Sequence, residues 1–286
     1  MADVKVFYFL ASYVVAFAFE WLRLTRRSSV FRFAVFVSGL AGLAAHTVYL
    51  FDRSSQTHLP PLLSSTHDWM LVLAWLAIVV YLFVSVFERD LALGLFLLPF
   101  VLILIGSAYF VSDSTSPLVA GDDDLFDRAR RGRVMLHAEL LVFGIAGVII
   151  GFVLSLMYLV QHRRLKHRQA LLSGLALPSL ERLARWNSWS VMISVPMLTL
   201  GMLTGFWLRL DSNKSMASLS LNDPVILGNG LILAVMLAFF VWLVSTRRPR
   251  GKQVAWLTIW AFGFLLVTLI GLQVLSGKEL LDSWHV

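Results

Sequence analysis

The stretch from Val134 to Val160, VMLHAELLVFGIAGVIIGFVLSLMYLV, decides the fold of this chain. Glu139 is its only charged residue, and the run is longer than the roughly 20 apolar residues that an α-helix needs to cross a bilayer. Arg133 precedes the run and Arg163 follows it, as is typical of the flanks of a membrane span. The stretch therefore predicts a transmembrane helix.

The rest of the chain repeats this pattern. Of the 286 residues 58% are hydrophobic and 14% are charged, whereas a soluble domain is closer to half apolar and a quarter charged. We predict an all-α polytopic membrane bundle of about eight transmembrane helices, forming a single domain over residues 1–286. The predicted spans are 4–22, 32–51, 69–87, 91–111, 134–160, 189–208, 225–245 and 254–275.

The net charge of +7 lies at the ends of the apolar runs and forms no continuous stripe, so nucleic acid is excluded as a partner. Of the 24 Lys and Arg residues, 15 fall in the loops of one side and nine in those of the other, including both termini. The more basic side should face the cytoplasm. We therefore expect a multi-pass protein with both termini outside.

The residues that are missing also limit the function. The chain has no cysteine, which excludes Fe–S clusters, thiolate metal sites and thiol–disulfide exchange. It has no H-E-x-x-H, phosphate-binding loop or nucleophile elbow, so hydrolase and nucleotide-driven activities have no support. Intramembrane carboxylates are too few for a proton-driven transporter. Glu20 stands near the inner end of the first helix, within reach of Arg23 or Arg27.

Histidines are the best candidates for chemistry, because neutral imidazole near a membrane surface is a good iron ligand. On the predicted topology His46, His137 and His285 lie at or near the outer side. Each has an alternative: His46 could be an interhelical hydrogen-bond residue, His137 an interfacial residue paired with Glu139 or Arg133, and His285 part of a mobile end. His58 and His67 are interpreted as polar loop residues.

Two other patterns have structural interpretations. Pro178-Ser179, followed by Leu180 and Leu183 at helical spacing, predicts a short amphipathic helix on the inner surface, held to anionic lipid or docking a cytoplasmic partner. The pairs Gly147-x-x-x-Gly151 and Gly201-x-x-x-Gly205 permit close helix contact and are assigned to packing.

Several motifs, in order along residues 32–275, are similar to those of one known family. The fifth predicted helix opens with Leu136-His137 and closes with Met157-Tyr-Leu-Val-Gln161-His-Arg-Arg-Leu-Lys166, its most specific part. Other matching stretches are His46-Thr-Val-Tyr-Leu50, Leu73-Ala-Trp75, Leu93-Gly-Leu-Phe-Leu-Leu-Pro99, Leu177-Pro-Ser-Leu-Glu181 and Leu198-Thr-Leu-Gly201-Met-Leu-Thr-Gly205-Phe-Trp207. In these features the chain resembles the CcsA/HemX-type branch of the cytochrome c assembly superfamily, membrane proteins that handle haem on the outer face.

The resemblance implies a haem site at the outer ends of helices 5 to 8. His137 and His285 would be the axial ligands of a haem b iron, with Trp207 and Asp223 at the border of the site and His46 as a further cofactor-binding candidate. Haem-handling members carry several tryptophans in the loop before an Asp-Pro pair. Here Asp223-Pro224 is present, but residues 209–222 contain no tryptophan.

The resemblance thus implies a membrane component of cytochrome c assembly, in a bacterial-type inner membrane, that presents haem on its outer face. It would be a haem carrier or lyase subunit rather than a stand-alone enzyme, with membrane lipid and a protein of a cytochrome c maturation complex as partners. The alternative, favoured by the loop without tryptophan, is a haem-free, HemX-like regulatory protein that acts on an enzyme of tetrapyrrole synthesis. Its basic inner loop at 161–185 would then be the contact surface.

Overall fold

The computed structural model describes residues 6–25, 29–88, 91–111, 124–167, 177–212, 224–246 and 250–276. These residues form helices and contain no strand. In chain order the helices are α1 (Val6–Thr25), α2 (Ser29–Thr57), α3 (Pro61–Ser64), α4 (Thr66–Phe87), α5 (Gly94–Ala108), α6 (Asp124–His167), α7 (Leu180–Ser212), α8 (Pro224–Ser245) and α9 (Gly251–Ser276).

The all-α membrane bundle is confirmed, since each of the eight predicted spans coincides with one long helix. Within the described residues, six helices are long and apolar enough to cross a membrane: α1, α2, α4, α6, α7 and α9. The described parts of α5 and α8 are apolar but shorter. With 15 residues, α5 is roughly 22 Å long, which is less than the thickness of the hydrocarbon core.

Three helices, α2, α6 and α7, extend well beyond their predicted bounds. At the end of α2, Ser55 and Thr57 each donate a hydroxyl hydrogen bond to the carbonyl four residues earlier, and the helix ends at His58 in the left-handed region with φ of 53°. At the start of α7, Leu183 is fully buried and the Ser179 hydroxyl accepts a bond from the Arg182 amide. The separate surface helix predicted from Leu180 was therefore wrong, because this segment is the first turn of α7.

One hydrophobic core joins all eight long helices; it includes Phe9, Val35, Met70, Leu97, Ile149, Val191, Met236 and Val254. Among the described residues, the most extensive packing between two helices is that of α6 against α7. A Cβ atom added to Gly147 would lie 2.8 Å from the Cβ atom of Ser194. The prediction that the Gly147 and Gly201 pairs serve close helix contact is confirmed.

The two ends of the bundle differ in character. At one end α4 ends and α7 begins, and Glu88 forms an ion pair with Arg182; this end also carries Arg163 and Lys166, and we call it the basic end. Near it, Arg23 Nη1 lies 3.4 Å from the buried Glu20 Oε2, as predicted. At the opposite end, which we call the His137 end, Leu63 of α3 packs against Val134 and Ala138 of α6 and Leu208 of α7.

Candidate functional site

The His137 side chain lies on α6, where α7 holds its imidazole in a fixed orientation. The ring is half-buried, and its Nδ1 lies 2.7 Å from the Gly201 carbonyl oxygen and 3.3 Å from the Thr204 hydroxyl. Since a carbonyl oxygen can only accept, Nδ1–H donates to Gly201 and the lone pair of the neutral ring is on Nε2. A backbone carbonyl that accepts a hydrogen bond from one ring nitrogen commonly orients a histidine that binds metal through the other.

Gly205 makes room for the same ring. A Cβ atom at this position would lie 2.5 Å from His137 Cε1 and 3.2 Å from Nε2, so no larger residue fits without moving the imidazole. Gly201, Thr204 and Gly205 lie on one face of α7, at helical spacings of three and four residues. Sequence reasoning had assigned these glycines to packing alone, because their proximity to His137 depends on the register between two helices.

The His46 side chain lies elsewhere, between α2 and α1. Its ring stacks on Phe9 with a centroid distance of 4.1 Å, and its Nδ1 lies 3.3 Å from the Tyr13 hydroxyl oxygen. The side chain is fully buried, and no described residue forms a hydrogen bond with its Nε2. His46 therefore shares none of the partners of His137, and its contacts match the interhelical alternative.

The structure places the remaining predicted site residues only in part. Trp207 lies on α7, and 66% of it is exposed. Because it is two residues after Gly205, it stands about 200° around the helix and faces away from His137. Asp223 and His285 lie outside the described residues, so the pairing of His285 with His137 stays a prediction.

The His137 end carries two further histidines, His67 and His58. His67 belongs to the first turn of α4 instead of a loop, and its Nδ1 lies 3.1 Å from Asp68 Oδ1. His58 is exposed at the end of α2. Across the residues that the structure describes, no group of three or more His, Asp or Glu side chains is arranged to hold a metal ion. A metal centre built by the described part of the protein alone therefore has no support, whereas a single axial ligand to haem iron needs only one imidazole.

Comparisons with known proteins relate this arrangement to a family. The HemX protein of Brevibacillus brevis is 29% identical over 142 residues, which make up 48% of this chain and 49% of that protein. The similarity thus spans about half the length of this relative. No solved structure matches the chain.

The family model described as "Cytochrome C assembly protein" matches residues 63–280, which include α4 to α9 and His137. Proteins of this family handle haem in general. Since the match covers most of the sequence, the chain belongs to the cytochrome c assembly protein family and is a multi-pass membrane protein.

Proposed function

We propose that this protein carries haem for cytochrome c assembly and presents it at the His137 end of the bundle. The observation that supports the proposal is the bond between His137 Nδ1 and the Gly201 carbonyl oxygen. It leaves Nε2 as the lone-pair nitrogen on a half-buried ring, which is the form of histidine that binds haem iron. The protein would be a carrier or lyase subunit, with lipid and a protein of the maturation complex as partners.

Each residue of the proposed site would have a separate role. His137 would supply one axial nitrogen and His285 the other, while Asp223 and Trp207 would border the macrocycle. His46 is the least suited of these residues to bind the cofactor, because its ring stacks on Phe9 inside the bundle. Haem b, when bound, would be cargo to be attached to apocytochrome, and the lack of cysteine leaves thiol chemistry to the partner.

Haemin titration of the purified protein tests the proposal through the Soret band. We expect a shifted, low-spin band for the wild type, and an affinity reduced by at least about 10- to 100-fold in His137→Ala, because loss of a residue that only orients a metal ligand already costs this much. His58→Ala is the matched control, because this histidine is exposed at the same end. A wild type without a Soret shift, or one in which His137→Ala plus His285→Ala changes nothing, would contradict the proposal.

A second function is favoured by the lack of tryptophan in residues 209–222 and by the similarity to HemX. In this version the protein binds no haem and regulates a soluble enzyme of tetrapyrrole synthesis through the end of α6. Arg163 and Lys166 are exposed there.

Replacing both Arg163 and Lys166 with Gln should abolish capture of that enzyme without affecting membrane insertion. The control is Arg250→Gln, which changes an exposed arginine before α9 and should preserve capture. Unchanged capture in the double variant would rule out this version.

A further inference from the structure

A cleft of about 580 Å³ separates α4 and α5 from α6 and α7. Its walls are apolar: among the described residues that line it, only Glu88, Arg182 and Ser190 have ionisable or hydroxyl side chains. The Ser190 hydroxyl already donates to the Gly147 carbonyl oxygen at 2.5 Å. The middle of the cleft therefore offers an occupant only hydrocarbon contacts.

The cleft opens on the side of the bundle. Phe83 of α4 and Ile193 of α7 line it, and more than half of each side chain is exposed. Both residues belong to helices long enough to cross the membrane, so the opening faces hydrocarbon. Water would find almost no hydrogen-bond partners there, and an empty apolar cleft would lose dispersion contacts along its walls. A lipid acyl chain needs no hydrogen-bond partners, and it would make dispersion contacts along both walls.

Polar groups lie only at one end of the cleft, the basic end. The Arg182 guanidinium lies 4.4 Å from the centroid of the Trp186 ring, and its Nη2 donates to Glu88 Oε1. A guanidinium has five N–H groups in a planar fork, and this bond uses one of them. The stacking on Trp186 fixes the plane of the fork, so the other N–H groups can bind an anion at the mouth of the cleft.

The charge around this mouth favours an anionic headgroup. Arg163 and Lys166 at the end of α6, and Arg250 and Lys252 at the start of α9, are exposed at the same end. Trp189, which also lines the cleft and is exposed, is of the type that stands at headgroup level. Basic pockets between transmembrane helices are suited to anionic phospholipid headgroups.

We propose that this cleft binds one anionic phospholipid, with an acyl chain between α4 and α6 and the phosphate on the Arg182 guanidinium. The site is at the opposite end of the bundle from His137 and does not depend on haem binding. Arg185, one turn further along α7, pairs with Glu181 at 2.9 Å and does not line the cleft, so it provides a matched control.

Native mass spectrometry of the full-length protein in mild detergent tests the headgroup part. The probes are palmitoyl-oleoyl phosphatidylglycerol and its phosphatidylcholine counterpart. We expect wild type and Arg185→Gln to retain phosphatidylglycerol in preference, and Arg182→Gln to lose this preference by about tenfold, the loss expected for one charge-assisted hydrogen bond. An Arg182→Gln protein with unchanged preference would overturn the proposal.

The chain part is tested by filling the cleft from both walls with Val80→Trp plus Ile150→Trp. Both lipids should then be lost, whereas Val48→Trp plus Val267→Trp, at lipid-facing positions outside the cleft, should retain phosphatidylglycerol. If the filled variant does not fold, Val80→Phe should give a partial loss. Retention of lipid in the filled variants would overturn the proposal. So would a wild-type protein that binds no phospholipid but copurifies with a polypeptide in the cleft. Filled variants that lose haemin binding and keep their lipid would overturn it as well.

Discussion

At the scale of single residues, the orientation of His137 depends on the absence of a side chain at Gly205. The imidazole occupies the space where a Cβ atom of residue 205 would lie, and this position lets Nδ1 reach the Gly201 carbonyl oxygen at 2.7 Å. Moving the ring would break that hydrogen bond or turn Nε2 away from its present direction. The glycine is therefore part of the site although it offers no ligand.

Gly205→Ala should accordingly disturb both stability and binding. Because the added methyl group overlaps the ring, we expect the free energy of unfolding to fall by about 1–3 kcal/mol. If haem binds His137, haemin affinity should fall by about tenfold through loss of the orienting hydrogen bond. Tryptophan-fluorescence melting and haemin titration measure the two effects.

The matched control is Gly132→Ala, because no heavy atom lies within 4 Å of a Cβ placed there on α6. It should bind haemin as the wild type does, and its free energy of unfolding should be unchanged or higher by up to about 1 kcal/mol, because alanine is the better helix former. Equal behaviour of the two alanine variants would mean that the ring does not need the space at Gly205.

The sequence identified His137 but not its surroundings. A histidine at the start of an apolar run can be recognised from one helix, since its chemistry and position are local. That Gly201 and Gly205 face His137, whereas Trp207 faces away, depends on how α6 and α7 are rotated against each other. Two helices packed through small residues can adopt several registers, and nothing in either helix alone selects one.

At the scale of elements, a buried carboxylate joins the end of α2 to the start of α4. Asp68 is fully buried, and both of its carboxylate oxygens lie 3.2 Å from Arg53 Nε. The Ser64 hydroxyl donates to Asp68 Oδ2 at 2.6 Å, and the Ser65 hydroxyl accepts from the Asp68 amide as the helix cap. This network fixes the short α3 segment that packs against α6 beside His137.

Asp68→Asn should destabilise this corner by about 1–3 kcal/mol, because it removes the negative charge of a buried ion pair and weakens the hydrogen bonds that Arg53 and Ser64 donate to it. Asp52→Asn is the control: Asp52 lies on the same helix as Arg53 and accepts only an exposed bond from Gln56, so a change within about 0.5 kcal/mol is expected. Thermal melting followed by tryptophan fluorescence measures both. A loss no larger than that of the control would show that the charge of Asp68 is not needed to hold this corner.

The helices were predictable and their ends were not. Apolar runs bounded by charge located all eight long helices, because in a bilayer the backbone must satisfy its hydrogen bonds within each span. The polar extensions of α2, α6 and α7 were missed because they lie outside the apolar runs. In α2 the extension carries local bonds from a hydroxyl to a backbone carbonyl, such as Thr57 to Arg53, whereas the burial of Leu183 in α7 is a tertiary feature. The Asp68 network was missed for the same reason.

At the scale of the whole molecule, its orientation in the membrane decides which compartment the His137 end faces. The two ends are chemically distinct: one carries basic residues of α6, α7 and α9, and the other carries His137 with its bond to Gly201. The excess of Lys and Arg predicts that the basic end is cytoplasmic. His137 would then face outside, where cytochrome c is assembled according to the proposed function.

The chain lacks cysteine, so single cysteines can test this orientation directly. We expect a membrane-impermeant maleimide to label Gln56→Cys, exposed at the end of α2, on intact cells or spheroplasts. Lys166→Cys and Lys252→Cys, exposed at the basic end, should be labelled only after lysis, and the unsubstituted chain should give no signal. Labelling of the two basic-end cysteines on intact cells, with Gln56→Cys protected, would show the opposite orientation, in which His137 faces the cytoplasm. Haem presentation outside would then fail, whereas binding of an anionic lipid at Arg182 would remain testable.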